Sequence, residues 1–329
     1  MKLSLVVPVF NEAECLPLLL KELRAVLDPS GLDYEVIFVD DGSRDASLAL
    51  LSREAVLDPR LKVLSFSRNF GHQTAVTAGI DFSTGDAVII MDADLQDPPS
   101  LIPEMVRLYQ EGYDVVSPQR LARQGDSWLK RGTAALFYWI MRRMVEERIP
   151  PEVGDFRLLS RGAVLALRQF REQHRFMRGL IAWLGLREVI LPFQRRPRVA
   201  GATKYPLRKM LRFSWVAITS FSALPLRLTI TLGFAASLLG LAYFLFAAYA
   251  ALVLKSVVPG WTSLVFLQCF FFGVMLVSLG LIGDYVAKIY EESKGRPLYI
   301  IDRVWNIAPE SGPTRRVVVL EPRDAPPQP

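Results

Sequence analysis

The sequence predicts an α/β domain with a parallel sheet covered on both faces, joined through a basic amphipathic helix to a hairpin of two membrane-spanning helices. Three observations carry this. Short apolar runs alternate with helically spaced segments through the first third of the chain, polar clusters fall at the ends of successive runs, and two long stretches near the other end hold no charge. The 329 residues are 51% hydrophobic, and a mean hydropathy of +0.25 is high for a purely soluble chain.

Taken in order, Leu3 to Val9, Tyr34 to Val39, Leu61 to Phe66, Ala87 to Met91 and Val115 to Ser117 are apolar runs of strand length. Between them Leu16 to Leu27, Ala46 to Ala55, Thr74 to Phe82 and Leu101 to Glu111 repeat apolar residues at helical spacing. Strands that alternate with helices make a parallel sheet, whose ligands bind beyond the carboxyl ends of the strands. The polar clusters stand at those ends: Asn11-Glu12, Asp40-Asp41-Gly42-Ser43, Arg68-Asn69 and Asp92-Ala93-Asp94.

Ser127 to Glu147 reads as an aromatic-rich helix, stopped at Pro150-Pro151. Gly154 to Arg157 then restarts an extended run. In Pro206 to Ser222, Leu207, Met210, Leu211, Ile218 and Phe221 share a face while Arg208, Lys209 and Arg212 take another, the pattern of a helix lying in a membrane interface. Leu228 to Leu254 and Ser256 to Gly283 carry no charge, and each exceeds the roughly 20 residues that cross a bilayer. The competing reading, two core helices of a soluble domain, fits such long uncharged runs poorly. Leu298 to Ile301 is a short strand candidate, and the tail from Ser311, with little apolar content beyond a Val-Val-Val-Leu patch, reads as disordered. The expected divisions are a globular α/β domain at 1–205, an interfacial helix at 206–224, the spans at 225–290 and a terminal segment at 291–329.

Charge placement orients the hairpin. Arg195, Arg196, Arg198, Lys204, Arg208, Lys209, Arg212 and Arg227 precede it, Lys288, Lys294 and Arg296 follow it, and Lys255 alone lies between the spans. By the positive-inside rule both flanks are cytoplasmic, which makes this a multi-pass inner-membrane protein with its large domain inside the cell. The first residues enter the strand pattern directly, without a signal-peptide layout. Cys15 and Cys269 are too far apart in the predicted layout for a disulfide or a shared metal site, as expected in a reducing compartment. The net charge of +6 gathers beside the spans and points to anionic lipid or phosphate. Nucleic acid is the poorer partner, since no platform of stacking aromatics accompanies the basic residues.

Asp92 and Asp94, two positions apart at a strand end, can share a divalent cation that carries a diphosphate, and oxygen ligands suit Mg2+ or Mn2+. Asp-x-Asp alone is more often a solvated turn; three further polar clusters at the same sheet edge raise the metal reading. Asp40 and Asp41 can accept hydrogen bonds from a nucleoside, although Ser43 or Asp45 also suits the cap of the next helix.

Four motifs occur in order: Val6-Val-Pro-Val-Phe-Asn-Glu-Ala-Glu14, Val39-Asp-Asp-Gly-Ser-Arg-Asp45, Ser67-Arg-Asn-Phe-Gly71 and Asp92-Ala-Asp-Leu-Gln-Asp-Pro-Pro99. With Gly154-Asp-Phe-Arg-Leu-Leu159, Arg198-Val-Ala-Gly-Ala-Thr-Lys-Tyr205 and the paired spans, the chain resembles the inverting GT-A-fold polyprenyl-phosphate glycosyltransferases, the group of dolichol-phosphate mannose synthase and the bactoprenol glucosyltransferases. The resemblance covers nearly everything before the tail. It implies that Pro8, Phe10, Glu12, Asp40, Asp41 and Asp92 serve the donor nucleotide, that Asp92, Asp94 and Gln96 hold the metal and the donor diphosphate, and that Arg120, Arg131, Arg198 and Lys204 take the acceptor phosphate. Asp155 is the implied base or orienting group, with holding Arg157 or a phosphate-binding arginine as the alternative. Thr203 stands where the family pattern has Ser before Lys-Tyr, and keeps the hydroxyl.

The implied reaction moves a hexose from a nucleotide sugar to polyprenyl (undecaprenyl) phosphate, with Mg2+ or Mn2+ as cofactor. The Gly71-His-Gln-Thr-Ala75 run resembles the bacterial glucosyl branch and favours UDP-glucose over GDP-mannose. His72 itself reads as a structural histidine at a helix start. A processive polysaccharide synthase would carry more spans and a Gln-x-x-Arg-Trp motif, and neither is visible. A scaffold without activity is disfavoured by the intact Asp92, Asp94 and Asp155. Gly233, Gly240, Gly273 and Gly280 offer the spans a surface for homo-oligomer formation.

Overall fold

The computed structural model describes residues 1–121, 150, 153–194, 219, 224–253, 260–307 and 317–319. The expected helix at Ser127 to Glu147 lies outside the described residues, as do the interfacial helix apart from Thr219, and Arg131, Arg198 and Lys204.

The first strand, β1 (Lys2–Val9), is followed by α1 (Leu16–Leu27), β2 (Asp33–Asp40), α2 (Ser47–Leu57), β3 (Leu61–Phe66), α3 (His72–Phe82), β4 (Ala87–Ile90), α4 (Ile102–Gln110) and β5 (Val115–Arg120). After residues outside the description come β6 (Arg157–Ser160), α5 (Arg161–Leu167), α6 (Met177–Trp183) and β7 (Glu188–Phe193). Then follow α7 (Leu224–Leu252), α8 (Trp261–Ser293), β8 (Tyr299–Trp305) and β9 (Val317–Val319).

Among the described residues the strands form one sheet in the order β7-β5-β6-β4-β1-β2-β3-β8-β9. Its centre, β4-β1-β2-β3, is parallel as the alternation predicts. The whole is mixed, which corrects the expectation of a parallel sheet: β6 runs antiparallel between β4 and β5, and β8 runs antiparallel to β3. Both exceptions come after the alternating region, where nothing in the pattern fixes direction. The tail is corrected too. Val317–Val319 pairs in parallel with Tyr299–Ile301, because three β-branched residues suit the free edge that β8 would otherwise present.

Two layers of helix cover the sheet. On one face Leu3, Leu5 and Val7 pack with Leu16, Leu19 and Leu23 of α1, Leu51 and Ala55 of α2, and Ile102 and Met105 of α4. On the other, Ile37, Val39, Leu64 and Phe66 meet Ala75, Ala78 and Phe82 of α3 and Tyr299 and Ile301 of β8. Alternate residues of each strand thus serve opposite cores. α3 lies so close to β1 that a Cβ on Gly79 would stand 2.1 Å from Val6 Cγ1.

The chain divides into two compact units, Met1–Arg212 with Gly295–Pro329, and Phe213–Lys294. The second contains two helices long and apolar enough to cross a membrane, Leu224–Ala250 and Ser263–Ser293. Their large side chains face outward, with Ile230 70% and Val277 73% exposed, unlike those of core helices. Apolar surface of that extent needs lipid or protein to cover it. Of the four small-residue positions, Gly240 faces Phe271 within the hairpin, while Gly233, Gly273 and Gly280 are open.

Candidate active site

The parallel strands β1, β2 and β4 all end at one edge, and their loops are stitched there. Ser43 Oγ accepts from the Asn11 amide at 3.0 Å, Asn11 Oδ1 accepts from the Arg44 amide at 2.8 Å, and Asp45 Oδ2 accepts from the Ala13 amide at 3.1 Å. Of the two expected caps, Asp45 serves α2, its Oδ1 accepting from the Ser47 amide at 3.0 Å, while Ser43 ties the loop after β1 instead. Gly42 has a φ of +68°, and a Cβ there would meet the Arg68 carbonyl carbon at 2.7 Å, so the turn after β2 requires glycine twice over.

Asp40 and Asp41 are buried within this weave. Asp40 accepts from Ser65 Oγ at 3.2 Å and from the Ser43 amide, and Asp41 takes the Phe70 amide at 2.6 Å and the Gly71 amide. Burial pushes both carboxyls up, Asp41 to about 6, against those hydrogen bonds. Pro8 is buried beneath the same edge, Phe10 is exposed on it, and Glu12 is intermediate.

Asp92 and Asp94 leave the end of β4 half-exposed, with Asp94 Oδ1 accepting the Gln96 amide at 3.2 Å and Gln96 buried. Asp155 comes to the same place from the loop before β6. His72, at the first turn of α3, stands between the two: its Nε2 is 3.2 Å from Asp155 Oδ2 and 3.7 Å from Asp92 Oδ1. Gln73 Nε2 donates to Asp155 Oδ2 at 3.2 Å, and Arg178 Nε to Oδ1 at 2.7 Å. Arg157 instead donates to the Gly154 carbonyl, so among the described bonds Arg178 is the arginine that Asp155 holds.

The electrostatics follow from these neighbours. Burial lifts the Asp92 carboxyl, and the charges of Asp155 and Asp94 add to the lift against the pull of His72. Burial would also lift Asp155, but the Arg178 charge and the His72 hydrogen bond and charge hold it well below the usual carboxylate range. Burial disfavours a charged imidazole at His72, yet the hydrogen bond to Asp155 and the nearby carboxylates outweigh it and raise His72 to about 9. Arg120, at the end of β5, reaches buried Asp97 at 3.4 Å, and its guanidinium lies where a Cβ on Gly154 would be, 2.8 Å from Nη2.

Among the described residues, no three or more His, Cys, Asp or Glu side chains form a group able to hold a metal ion. Two partly exposed carboxylates at one strand end still suit a hard cation that completes its shell with phosphate oxygens and water, the habit of Mg2+. The donor set fits that kind of ion.

The structure thus brings together Asp92, Asp94, Gln96 and Asp155, with Arg120 beside Gly154 and the nucleotide-side candidates along the same edge. His72, Gln73 and Arg178 join them unforeseen. In the sequence the Gly71–Ala75 run marks a branch and His72 reads as structural, and nothing local distinguishes Arg178 from the other arginines around it.

Residues 4–167 match the model of glycosyl transferase family 2. An uncharacterised glycosyltransferase of Bacillus subtilis is 43% identical over 304 residues, 92% of this chain and 94% of its own. The bactoprenol glucosyl transferase of Shigella phage SfV is 40% identical over 301 residues, 92% of this chain and 98% of its own. A prophage bactoprenol glucosyl transferase homolog of Escherichia coli K12 is 38% identical over 304 residues, 92% of this chain and 99% of its own. Likeness at this level, across both units of the chain and over almost the whole of each relative, makes this protein a glycosyltransferase of family 2.

Proposed function

We propose that this glycosyltransferase moves a hexose, with UDP-glucose as the first donor, onto the phosphate of a polyprenyl lipid with inversion, at the cytoplasmic face of the inner membrane. The observation that carries the reading is the near full-length likeness to bactoprenol glucosyl transferases, which takes in both apolar helices. The two outward-facing apolar helices supply an anchor beside the lipid, and the basic residues that flank them set the orientation.

Asp92, Asp94 and Gln96 would hold a Mg2+ or Mn2+ ion, which when bound supplies charge to stabilise the departing nucleoside diphosphate. Phe10, Glu12 and Pro8 at the sheet edge would take the nucleoside, with Asp40 and Asp41 fixing the loops that shape its pocket. Arg120, Arg131, Arg198 and Lys204 would receive the acceptor phosphate, where a bidentate guanidinium both positions it and screens its repulsion from the donor.

A phosphate monoester has a second pKa of about 6, so its oxygen attacks with little need of a base. Asp155 then acts through its charge and position, oriented by Arg178, Gln73 and His72. With no enzyme nucleophile in the path, one displacement at the anomeric carbon inverts it. His72, between Asp155 and Asp92, is set to balance the two carboxylates as the anionic donor arrives.

The test is nucleoside diphosphate release by purified protein with undecaprenyl phosphate, Mg2+ or Mn2+, and a panel that includes UDP-glucose and GDP-mannose, with Asp94→Ala as control. Lipid-dependent release from UDP-glucose, lost in the variant, and a product of inverted anomeric configuration by NMR are expected. Release from GDP-mannose alone would replace the donor, and release without lipid would remove the acceptor.

A further inference from the structure

Away from the catalytic edge, at the other end of α3, Asp81 is buried at 2% exposure and yet binds three donors. Arg171 grips it with both terminal nitrogens, Nη1 to Oδ2 at 2.7 Å and Nη2 to Oδ1 at 2.9 Å, and the Tyr299 hydroxyl donates to Oδ2 at 2.8 Å. A paired, bidentate, buried contact of this kind holds its partners in one geometry. Tyr299 is fully buried and stacks on Phe66 with ring centroids 5.2 Å apart.

From Arg171 the chain returns along α3 toward its first turn. There the Met177 amide donates to Gln73 Oε1 at 2.9 Å, and the next residue is Arg178, which donates to Asp155. Because Gln73 spends its carbonyl oxygen on Met177, its amide nitrogen is the atom left to face Asp155, which it does at 3.2 Å. One segment is therefore pinned at both ends of the same helix, about 12 Å apart by helical rise. Two of the side chains that hold Asp155 depend on where it lies. Gln173, midway, donates to the Arg296 carbonyl at 2.7 Å, a further tie to the chain that follows α8.

We propose that Asp81 is a positioning residue for the reaction: it anchors the Arg171–Arg178 strap along α3, with Tyr299 as the lock, and the strap sets Arg178 and Gln73 on Asp155. The consequence for the reaction rests on the reading of Asp155 as a catalytic group. The strap itself rests on the contacts alone. It also gives the strand that follows the second apolar helix a role at the active site, since Tyr299 is linked to Asp155 through Asp81, Arg171 and the segment of chain that carries Met177 and Arg178.

The experiment uses the full-length protein in detergent or nanodiscs, with Arg171→Lys, which keeps the charge and loses the fork, and Tyr299→Phe, which loses only the hydroxyl. Hydrogen exchange should quicken in peptides covering residues 72–75 and 171–178 in both variants and stay unchanged in β1 and β2. With UDP-glucose and undecaprenyl phosphate, kcat should fall about tenfold in Arg171→Lys and less in Tyr299→Phe, with KM for both substrates within about twofold of wild type. In an Arg178→Ala background the same changes should cost less than in wild type, because one of the two groups they position is gone.

Unchanged exchange in both variants would overturn the strap, whatever the donor proves to be. Quickened exchange with wild-type kcat, or losses that add fully to Arg178→Ala, would leave a structural brace and overturn the positioning role. If Asp155→Asn turns over like wild type, the catalytic reading of Asp155 falls, and the exchange data still decide the strap.

Discussion

Two ends of the same sheet hold buried carboxylates, and they hold them in opposite ways. At the end where the parallel strands begin, Glu35 is enclosed by Lys62 Nζ at 2.7 Å, Lys2 Nζ at 3.2 Å, Ser4 Oγ at 2.6 Å and the Thr84 amide at 2.7 Å. Burial would raise its carboxyl, but these donors and cations outweigh it and bring it down to about 2. Where the strands finish, buried Asp40 and Asp41 are raised, since burial is answered there mostly by neutral donors while Asp45 and Asp40 respectively add negative charge, and half-exposed Asp92 is raised beside Asp155 and Asp94. The first arrangement stabilises the fold at neutral pH. The second stores unfavourable charge where a cation or a positively charged group would relieve it, the usual mark of a functional edge. Glu35, Asp40 and Asp41 are similar in type and in burial, and differ in what surrounds them.

The largest effect that would test this contrast is on turnover. Asp92→Asn and Asp155→Asn should each lower kcat by at least about 100-fold while the melting temperature holds or rises for Asp92→Asn, because removing an ill-satisfied charge relieves the fold. Unchanged turnover in both, measured as nucleoside diphosphate release, would erase the functional half of the comparison.

Next in size is Glu35→Gln, which should leave activity per folded molecule intact and cost about 3 kcal/mol of stability at neutral pH. The sign is set by the depressed pKa: the stabilisation is complete above 4.5 and is lost as pH falls toward about 2. Wild type and variant should therefore converge in acid-unfolding curves over that window, and a constant gap would refute the charge argument.

Asp41 should show the opposite sense, at about 3 kcal/mol. With its folded value raised from 3.8 to about 6, its favourable contribution is complete below 3.8 and is lost as pH rises through about 6. Asp41→Asn should flatten the decline in stability across that interval, whatever constant cost comes from the altered contacts with the Phe70 and Gly71 amides. The smallest effect is expected from Gly42→Ala, about 1–2 kcal/mol, from a left-handed φ and the backbone of Arg68 behind it. A larger rise in donor KM than the stability loss explains would show that this turn shapes the nucleotide pocket.

The sequence made the central strands legible because they are buried on both sides: a run such as Leu3 to Val9 is apolar at nearly every position, so period and length agree. α1 was legible from Leu16, Leu19, Leu20, Leu23 and Leu27 on one face. The carboxylates after β4 were legible because a strand end is where the chain must turn polar. β7, α5 and α6 were not, since Glu188–Phe193 is only partly buried and both helices are seven residues long, too short for a periodic signal. The partners of His72 were not legible because Asp155 lies 83 positions away.

What the sequence determined by itself was the set of local patterns: alternating elements, the polar strand ends, the uncharged helices and the ordered motifs that carry the family. Those follow from side-chain chemistry repeated at fixed spacing. The tertiary structure alone decided which of several arginines meets Asp155, that a histidine stands between two carboxylates, that the Tyr299 hydroxyl donates to Asp81 across the chain, and that Val317–Val319 ends on the sheet. These are contacts between residues far apart in the chain, and only packing brings such groups within the few ångströms at which hydrogen bonds and charges act.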